Sequence, residues 1–298
     1  MRKTLKITLW ITCFSLTALV LADFCHDKTK GFQRERMAPA FTPPVAVHAF
    51  SFIPHKELIP ILSQPFTYLK KGRSSYVFVS DDQKYVLKFL RNPQISSPYW
   101  ASCLLSQKLF PSLCQKNLET KQKRKQKQET SYEIAFHKIP SQTAVLCLHL
   151  HESSSLRKNF TIYDAIRIQH KVPMDATAFI LQKKADPFCP YFQALYNEKK
   201  QEEIHTLIRQ FAVLLKERAD YGISDHDLSP RYNLGILEGN LVTFDLDSLI
   251  SAPLSQTSQE RRNHMQQDAK KMLVYLRDFS PDFELLLQQE IEKFSFLF

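Results

Sequence analysis

Residues 225–249 read DHDLSPRYNLGILEGNLVTFDLDSL, and this stretch decides which fold the sequence predicts. An Asp-rich turn with an amide, Asp227 and Asn233, lies a short hairpin away from a second acidic pair, Asp245 and Asp247. Oxygen ligands at the ends of two adjacent short strands can converge on one point. Hard cations such as Mg²⁺ prefer such ligands and usually bring phosphates with them. The stretch therefore predicts a site for a cation and a phosphate group.

The same stretch resembles the catalytic loop and metal-binding strand of the protein-kinase-like fold, where H-R-D-x-x-x-x-N is followed by D-F-G. The letters D-L-S-P at 227–230 stand against the family's D-L-K-P. The resemblance implies that Asp227 positions an acceptor hydroxyl and accepts its proton. It also implies that Asn233 and Asp245 hold Mg²⁺, while Asp247 supports a second metal ion.

Two features depart from the family pattern. Asn233 follows Asp227 by six positions, where the family has five. An extra residue in such a loop is either absorbed as a bulge or moves the amide out of reach. Asp225 stands where the family has His, and we expect it to hold the loop together instead. These polar residues also cap turns routinely, which is the structural alternative to a catalytic role.

Residues 66–90, FTYLKKGRSSYVFVSDDQKYVLKFL, predict a β-hairpin with a turn at Ser80, Asp81 and Asp82. This segment resembles the glycine loop and the next two strands of a kinase-like small lobe. The resemblance implies that Lys88, in V-L-K-F, binds nucleotide phosphates. Gly72, Ser74 and Ser75 would form the phosphate loop, although Gly72 is its only glycine. The alternative is that Lys88 is a solvated strand lysine.

Residues 92–152 form a long polar region that we expect to be largely helical. Kinase-like folds use a helical glutamate here to hold the strand lysine, which makes Glu133 the candidate and Glu129 its alternative. A basic run near 115–130 includes Lys121, Lys123, Arg124, Lys125 and Lys127. It lacks aromatic residues for base stacking, so nucleic acid is an unlikely partner and an anionic membrane surface is the better one. A solvated helix or a disordered insert is the favoured explanation of the run.

The second half of the chain is predicted to be mainly helical. Residues 179–181 predict a buried strand that leads to a hinge, and residues 199–220 carry apolar side chains at helical spacing. Gly222 follows where a left-handed cap is needed. Two more helices are predicted in the tail, the second capped by Ser280 and Pro281.

The N-terminal segment, residues 1–22, predicts either a removed signal peptide or a retained membrane anchor. Arg2, Lys3 and Lys6 precede an apolar stretch at 7–21. Residues 23–60 contain several prolines and predict a tether. The side of a membrane on which the rest of the chain lies is not determined. The six cysteines form no C-x-x-C pair, which argues against zinc. Scattered buried thiols are the favoured reading of the cysteines, and a disulfide between Cys103 and Cys114 is the alternative for an exported domain.

Together these features predict an α+β, two-lobed, protein-kinase-like fold preceded by an N-terminal hydrophobic helix. A small antiparallel-sheet lobe would span 61–185 and a short helical lobe 186–298. The net charge of +10 suits phosphate ligands or anionic lipid. The predicted function is ATP-dependent phosphoryl transfer with Mg²⁺ to an unknown acceptor. The alternatives are a pseudokinase and a membrane-tethered interaction protein, because a fold does not establish catalysis.

Overall fold

The computed structural model describes residues 2–40, 50–91, 111–225, 227–255 and 257–296. The chain divides into two compact units whose segments interleave along the sequence. Unit 1 comprises Met1–His48, His55–Ile95 and His151–Phe179; unit 2 comprises Ala49–Pro54, Ser96–Leu150 and Ile180–Phe298. Each unit combines strands with helices, so the fold is mixed α/β, with a large sheet.

Unit 1 is built on a sheet whose strands run in the order β4, β3, β2, β6 and β7. Its elements are α1 (Arg2–Lys28), a 3₁₀ turn (Arg34–Arg36), α2 (His55–Ser63), β2 (Pro65–Lys71), β3 (Ser75–Ser80), β4 (Tyr85–Leu90), β6 (Asn159–Tyr163) and β7 (Gln169–Pro173). The predicted hairpin is confirmed as β3 and β4. Edge-to-face phenylalanine rings, including Phe78 with Phe89 and Phe89 with Phe160, pack in its core.

Unit 2 begins with β1 (Phe50–Ser51), α3 (Pro111–His137), α4 (Pro140–Thr143), β5 (Val145–His149) and most of β8 (Phe179–Lys183). It continues with β9 (Asp186–Pro187), α5 (Phe188–Asn197), α6 (Gln201–Asp220), β10 (Ile223–Asp225), β11 (Leu234–Leu237), β12 (Asn240–Thr243), β13 (Leu249–Ser251), α7 (Ser258–Arg277) and α8 (Pro281–Ser295). Its core packs α5, α6, α7 and α8 through buried residues such as Phe192, Phe211, Met265, Leu276 and Leu287. Strands β9, β11 and β12 form a three-stranded sheet, and β10 pairs with β13.

The predicted helix at 199–220 is confirmed as α6, which buries one apolar face, including Leu207, Phe211 and Leu215. Its end depends on Gly222, whose φ of +59° is a left-handed conformation. A Cβ at this position would also lie 2.7 Å from the carbonyl oxygen of Ala252. The predicted caps of α8 are confirmed, because Ser280 Oγ accepts the Asp282 N–H at 3.2 Å.

Several expectations differ from the structure. The sheet of unit 1 is not purely antiparallel, because β2 and β6 pair in parallel through Pro65–Thr161, Phe66–Ile162 and Thr67–Tyr163. Helix α1 extends to Lys28, into the segment at 23–60 that was predicted to be a tether. The segment expected to be a tether contains the buried side chains of Phe32 and Ala38, and it includes α2. The two units also interleave, whereas the predicted lobes were contiguous.

The N-terminal helix differs from the expected hydrophobic span. Helix α1 carries Arg2 and Lys3 at one end and Asp23, Asp27 and Lys28 at the other. In the described part of the chain, no helix is both long enough and apolar enough to cross a membrane.

Candidate functional site

The loop from Asp227 to Asn233 is closed by hydrogen bonds to its own backbone. The Ser229 N–H donates to the Asp227 carbonyl oxygen at 2.7 Å, and the Asn233 N–H donates to Ser229 O at 2.9 Å. The buried Asn233 side chain also donates its amide N–H to Asp227 O. The six-residue spacing is therefore accommodated as a compact turn that ties the Asn233 side chain to Asp227.

The β11–β12 hairpin pairs Asn233 with the residue that precedes Asp245. Leu234 pairs with Thr243, and the ladder extends by one hydrogen bond from the Phe244 N–H to Asn233 O at 2.9 Å. Asp245 therefore follows immediately after the residue that pairs with Asn233. Both residues belong to unit 2, and their assignment to one cation site stays a prediction.

Asp247 lies at the far side of the same turn. The Asp247 N–H donates a long hydrogen bond of 3.4 Å to Asp245 Oδ1. Its own Oδ1 accepts a hydrogen bond of 2.5 Å from the Tyr132 hydroxyl of α3. Asp245, Leu246 and Asp247 form, with Asn233, what we call the acidic turn.

Asp227, the predicted proton acceptor, is ion-paired with Lys271 of α7. Both side chains are partly exposed, Asp227 at 41% and Lys271 at 47%. Lys271 could not be predicted from the sequence, because it lies in a different helix and belongs to no local motif. Its ammonium group offsets the negative charge of the Asp227 carboxylate.

A buried ion pair between α6 and the end of β10 holds the start of the loop. Arg218, fully buried in α6, donates from Nη1 to Asp225 Oδ2 at 2.9 Å. Its other donors bind Gln142 Oε1 at 3.0 Å and Thr243 Oγ1 at 2.7 Å. Burial lowers the pKa of Arg218, and the neighbouring Asp225 carboxylate opposes that change. In the sequence, Arg218 was assigned only to the buried face of the helix at 199–220. A charged residue on a buried face needs a partner, and this was the signal that could have revealed the ion pair.

Asp225 holds the loop together, as its replacement of the family histidine led us to expect. Its Oδ1 accepts hydrogen bonds from the Asp227 N–H at 3.1 Å and from Ser248 Oγ at 2.6 Å. One buried carboxylate therefore joins the catalytic-type loop to the segment that follows the acidic turn. Asp268 of α7 adds a second anchor by accepting the Asp225 N–H at 2.9 Å and Ser224 Oγ at 2.7 Å.

Helix α3 contacts the acidic turn through two consecutive residues. The buried Ser131 hydroxyl donates to Leu246 O and accepts the Leu249 N–H at 2.9 Å. Tyr132 binds Asp247, as described above. Glu133, the candidate partner for the strand lysine, is the next residue and is exposed. Its alternative, Glu129, lies 3.9 Å from Lys125 within the basic run of the same helix.

The remaining predicted residues lie in unit 1. Lys88 is on β4, directly opposite Val77 of β3. The turn expected to cradle phosphates is closed on itself, because the Gly72 N–H donates to Ser75 O at 2.8 Å. Arg91 Nη1 donates hydrogen bonds to the carbonyl oxygens of Gly72 and Arg73 at 3.1 and 2.9 Å. The backbone N–H of Arg91 donates to Ser74 O at 2.7 Å. This turn therefore offers fewer backbone N–H groups than a glycine-rich loop.

The donor set of the acidic turn fits a hard cation that also binds phosphate. An amide oxygen on Asn233 and carboxylates on Asp245 and Asp247 are the ligand types that Mg²⁺ takes, usually completed by water and phosphate. Within the described ranges, no group of three or more His, Cys, Asp or Glu side chains is arranged to hold a metal ion by itself.

No protein-family model matches this sequence, and no curated protein matches it either. Solved structures of WbdD are similar at low scores. A crystal structure of WbdD has a TM-score of 0.39 and 15% identity, covering 87% of this chain and 53% of that chain. A co-crystal of WbdD with the kinase inhibitor LY294002 has a TM-score of 0.37 and 14% identity, covering 76% and 45%.

A third structure, described as the bifunctional kinase-methyltransferase WbdD, has a TM-score of 0.36 and 13% identity. The match covers 74% of this chain and 42% of the WbdD chain. The chain thus spans about half, or less, of the length of these proteins.

Proposed function

We propose that this chain is an ATP-dependent phosphotransferase of the kinase-like type, with an acceptor that is not assigned. One observation supports the proposal: the hydrogen bond from the Phe244 N–H to Asn233 O pairs Asn233 with the residue that precedes Asp245. The same Asn233 is tied to Asp227 through its side-chain amide. Asn233 therefore contacts Asp227 through its side chain and pairs through its backbone with Phe244, the residue before Asp245.

The proposed roles follow from the chemistry of phosphoryl transfer. Such a reaction needs a positioned hydroxyl, a metal bridging the phosphates and positive charge around them. Asn233, Asp245 and Asp247 would hold Mg²⁺, which would neutralise phosphate charge when bound. Asp227 would orient the acceptor hydroxyl and take its proton, with Lys271 fixing its carboxylate. In unit 1, Lys88 would bind the nucleotide phosphates, supported by the turn at Gly72, Ser74 and Ser75.

The first test is the thermal stability of the full chain with ATP and Mg²⁺ together and with each alone. We expect a rise in Tm only when both are present, because the carboxylates and the phosphates share the cation. Asp245→Asn should remove most of that rise. Asp278→Asn makes the same charge change at an exposed position in unit 2 and should leave it intact. Equal responses from the two variants would contradict the assigned site.

A second measurement separates an active kinase from a pseudokinase. Release of ADP should be slowed by at least about a hundredfold in Asp227→Asn, while stabilisation by ATP and Mg²⁺ is kept. Stabilisation of the native chain without any ADP release would favour the pseudokinase, whose fold binds nucleotide without turnover.

A membrane-associated role is the second candidate function. Helix α1 exposes large apolar side chains, most strongly Trp10 at 77% and Phe14 at 76%. The others are Leu16, Leu19, Val20, Leu21 and Phe24. Basic residues flank this apolar stretch, and such a combination binds an anionic lipid surface. This candidate is compatible with phosphoryl transfer, since it concerns where the chain acts.

A further inference from the structure

Unit 1 carries a second group of polar side chains on the sheet face opposite Lys88. Lys88 pairs with Val77, whereas Tyr76 pairs with Phe89 and with Lys71. Successive side chains of a strand point to opposite faces, so Lys71 and Tyr76 share the face that Lys88 does not use. Arg91, two residues after Phe89, lies on this same face.

The segment after α1 covers this face. The Phe32 ring lies 5.1 Å from the Tyr76 ring and 5.6 Å from the Tyr68 ring. The Tyr68 hydroxyl donates to Lys30 O at 3.0 Å. Gly31, at φ +71°, lets the chain pass close to Lys71, because a Cβ there would lie 2.9 Å from Lys71 Nζ.

Several basic groups converge at the edge of this aromatic packing. The Arg91 guanidinium lies 5.4 Å from the Tyr76 ring centre. Met37 forms a bridge with Arg91, which brings the preceding residue, Arg36, to the same edge. Partial burial, and then the positive charges of Arg91 and Arg36, lower the pKa of Lys71. Like charges are therefore held near one another, an arrangement that an anion would stabilise.

Two buried polar atoms belong to the same group. Tyr76 Oη and Arg91 Nε are inaccessible and have no hydrogen-bond partner within the described ranges. The Tyr76 side chain is fully buried. Burial, and then the electrostatic interaction with Tyr76, raises the pKa of Tyr68 to about 12. The positive charge of Arg91 opposes this rise in the pKa of Tyr68, so the three side chains interact electrostatically. Buried donors without a protein partner are uncommon and call for a ligand.

We propose that Arg36, Lys71, Tyr76 and Arg91 form an anion site for a phosphate-type group, separate from the nucleotide site. The group is either inorganic phosphate or the headgroup of an acidic phospholipid, since both present the same oxygens to the same donors. Its position beside the end of α1 places it next to the exposed apolar helix. The site does not depend on the proposed phosphoryl transfer, because it lies on the other face of the sheet.

The experiment uses the full chain and two probes. Thermal stability is measured against inorganic phosphate, with chloride at matched ionic strength. Sedimentation is measured with vesicles of phosphatidylcholine, with and without phosphatidylglycerol. The variants are Lys71→Gln and Tyr76→Phe, which removes only the hydroxyl and keeps the ring packing. Lys84→Gln, an exposed lysine at the other end of the β3–β4 hairpin, is the matched control.

We expect the response of the native chain to be retained in Lys84→Gln and to require about tenfold more probe in Lys71→Gln and Tyr76→Phe. If inorganic phosphate gives this pattern, the ligand is a soluble phosphate. If only acidic vesicles give it, the ligand is a headgroup. The proposal is overturned if neither probe acts, or if the site variants behave like the control.

Lys88→Met separates this inference from the proposed function. Its response to phosphate should equal that of the native chain, because Lys88 lies on the other face of β4. Should Lys88→Met abolish the phosphate response while Lys71→Gln keeps it, the anion binds at the nucleotide site. The further inference would then fail, and the proposed function would stand.

Discussion

At the scale of single residues, the loop of the candidate site depends on one buried ion pair. Arg218 and Asp225 are 1% and 0% exposed as side chains and lie 2.9 Å apart. A buried charge is tolerated only when it is paired and hydrogen-bonded, and Gln142 and Thr243 satisfy the remaining donors of Arg218. The Asp225 carboxylate therefore accepts hydrogen bonds from the Asp227 N–H and Ser248 Oγ while its side chain stays buried.

We predict that Arg218→Met lowers the free energy of unfolding by about 3–5 kcal/mol, because it leaves the Asp225 carboxylate buried and unpaired. Urea unfolding followed by circular dichroism measures this loss. Arg209→Met, on the same helix, is the control: Arg209 is 52% exposed and lies 3.8 Å from Glu290. It should cost about 1 kcal/mol or less. Similar losses in both variants would contradict the role of the buried pair.

Some residues of the candidate site could be predicted from the sequence, and others could not. Asp227 with Asn233, and Asp245 with Asp247, are close in the sequence, so the contacts within these two pairs were predictable. Lys271, Ser131 and Asp268 reach the same loop from α7 and α3, and nothing in their local sequence marks a polar contact made after folding. Arg218 was the exception, since a charge on a buried helical face needs a partner.

At the scale of elements, α6 and α7 are joined by Asp220. Its carboxylate accepts Lys216 Nζ of α6 at 2.8 Å and also binds Arg261 of α7. Burial acts to raise the pKa of Asp220, but the hydrogen bonds from Lys216 and Arg261 outweigh it, so the pKa is lowered from 3.8. The ionised form is therefore favoured in the folded chain.

The sign of the pH effect follows from this lowered pKa. Stability from Asp220 is fully present above its unfolded pKa, near 3.8, and is lost as the pH falls through the lower folded pKa. We expect the stability of Asp220→Asn to fall less than that of the native chain between about pH 5 and pH 2. Unfolding midpoints in urea at several pH values test this. Parallel curves for the two proteins would show that Asp220 does not contribute.

Helix α3 is coupled to the acidic turn through Ser131. We predict that Ser131→Ala destabilises the chain by about 1–3 kcal/mol, because the Leu249 N–H loses its acceptor in a buried position. Lys127→Ala, at an exposed position of the same helix, should change stability by about 0.5 kcal/mol or less. Calorimetric unfolding of both variants checks the difference, and a neutral Ser131→Ala would show that α3 does not hold the turn.

Elements were predictable where their signals are local. The apolar spacing of α6, the caps of α8 and the β-rich runs of β3 and β4 each lie within a few residues. The parallel pairing of β2 with β6 joins residues 65–67 to 161–163, across most of unit 1. Pairing over such a distance is decided by packing of the whole sheet, which no short pattern encodes.

At the scale of the whole molecule, the chain combines a net charge of +10 with one helix that exposes most of its apolar side chains. Helices of folded domains usually bury one apolar face, as α6 does. Helix α1 instead exposes Trp10, Phe14 and Leu19. A lipid surface would cover these side chains, and the flanking lysines and arginines would meet its headgroups.

We predict that Phe14→Ser weakens binding of the full chain to vesicles of phosphatidylcholine with phosphatidylglycerol by about tenfold or more, because one buried Phe contributes roughly 1.5–3 kcal/mol. The free energy of unfolding without vesicles should stay within about 0.5 kcal/mol of the native value, since Phe14 is 76% exposed. Tyr232→Ser removes an aromatic ring that is 71% exposed in unit 2 and should leave vesicle binding unchanged. Co-sedimentation measures the binding and urea unfolding the stability. Loss of stability without loss of binding would mean that α1 packs on protein rather than lipid, and equal losses of binding in both variants would mean that lipid contacts exposed aromatic residues without regard to α1.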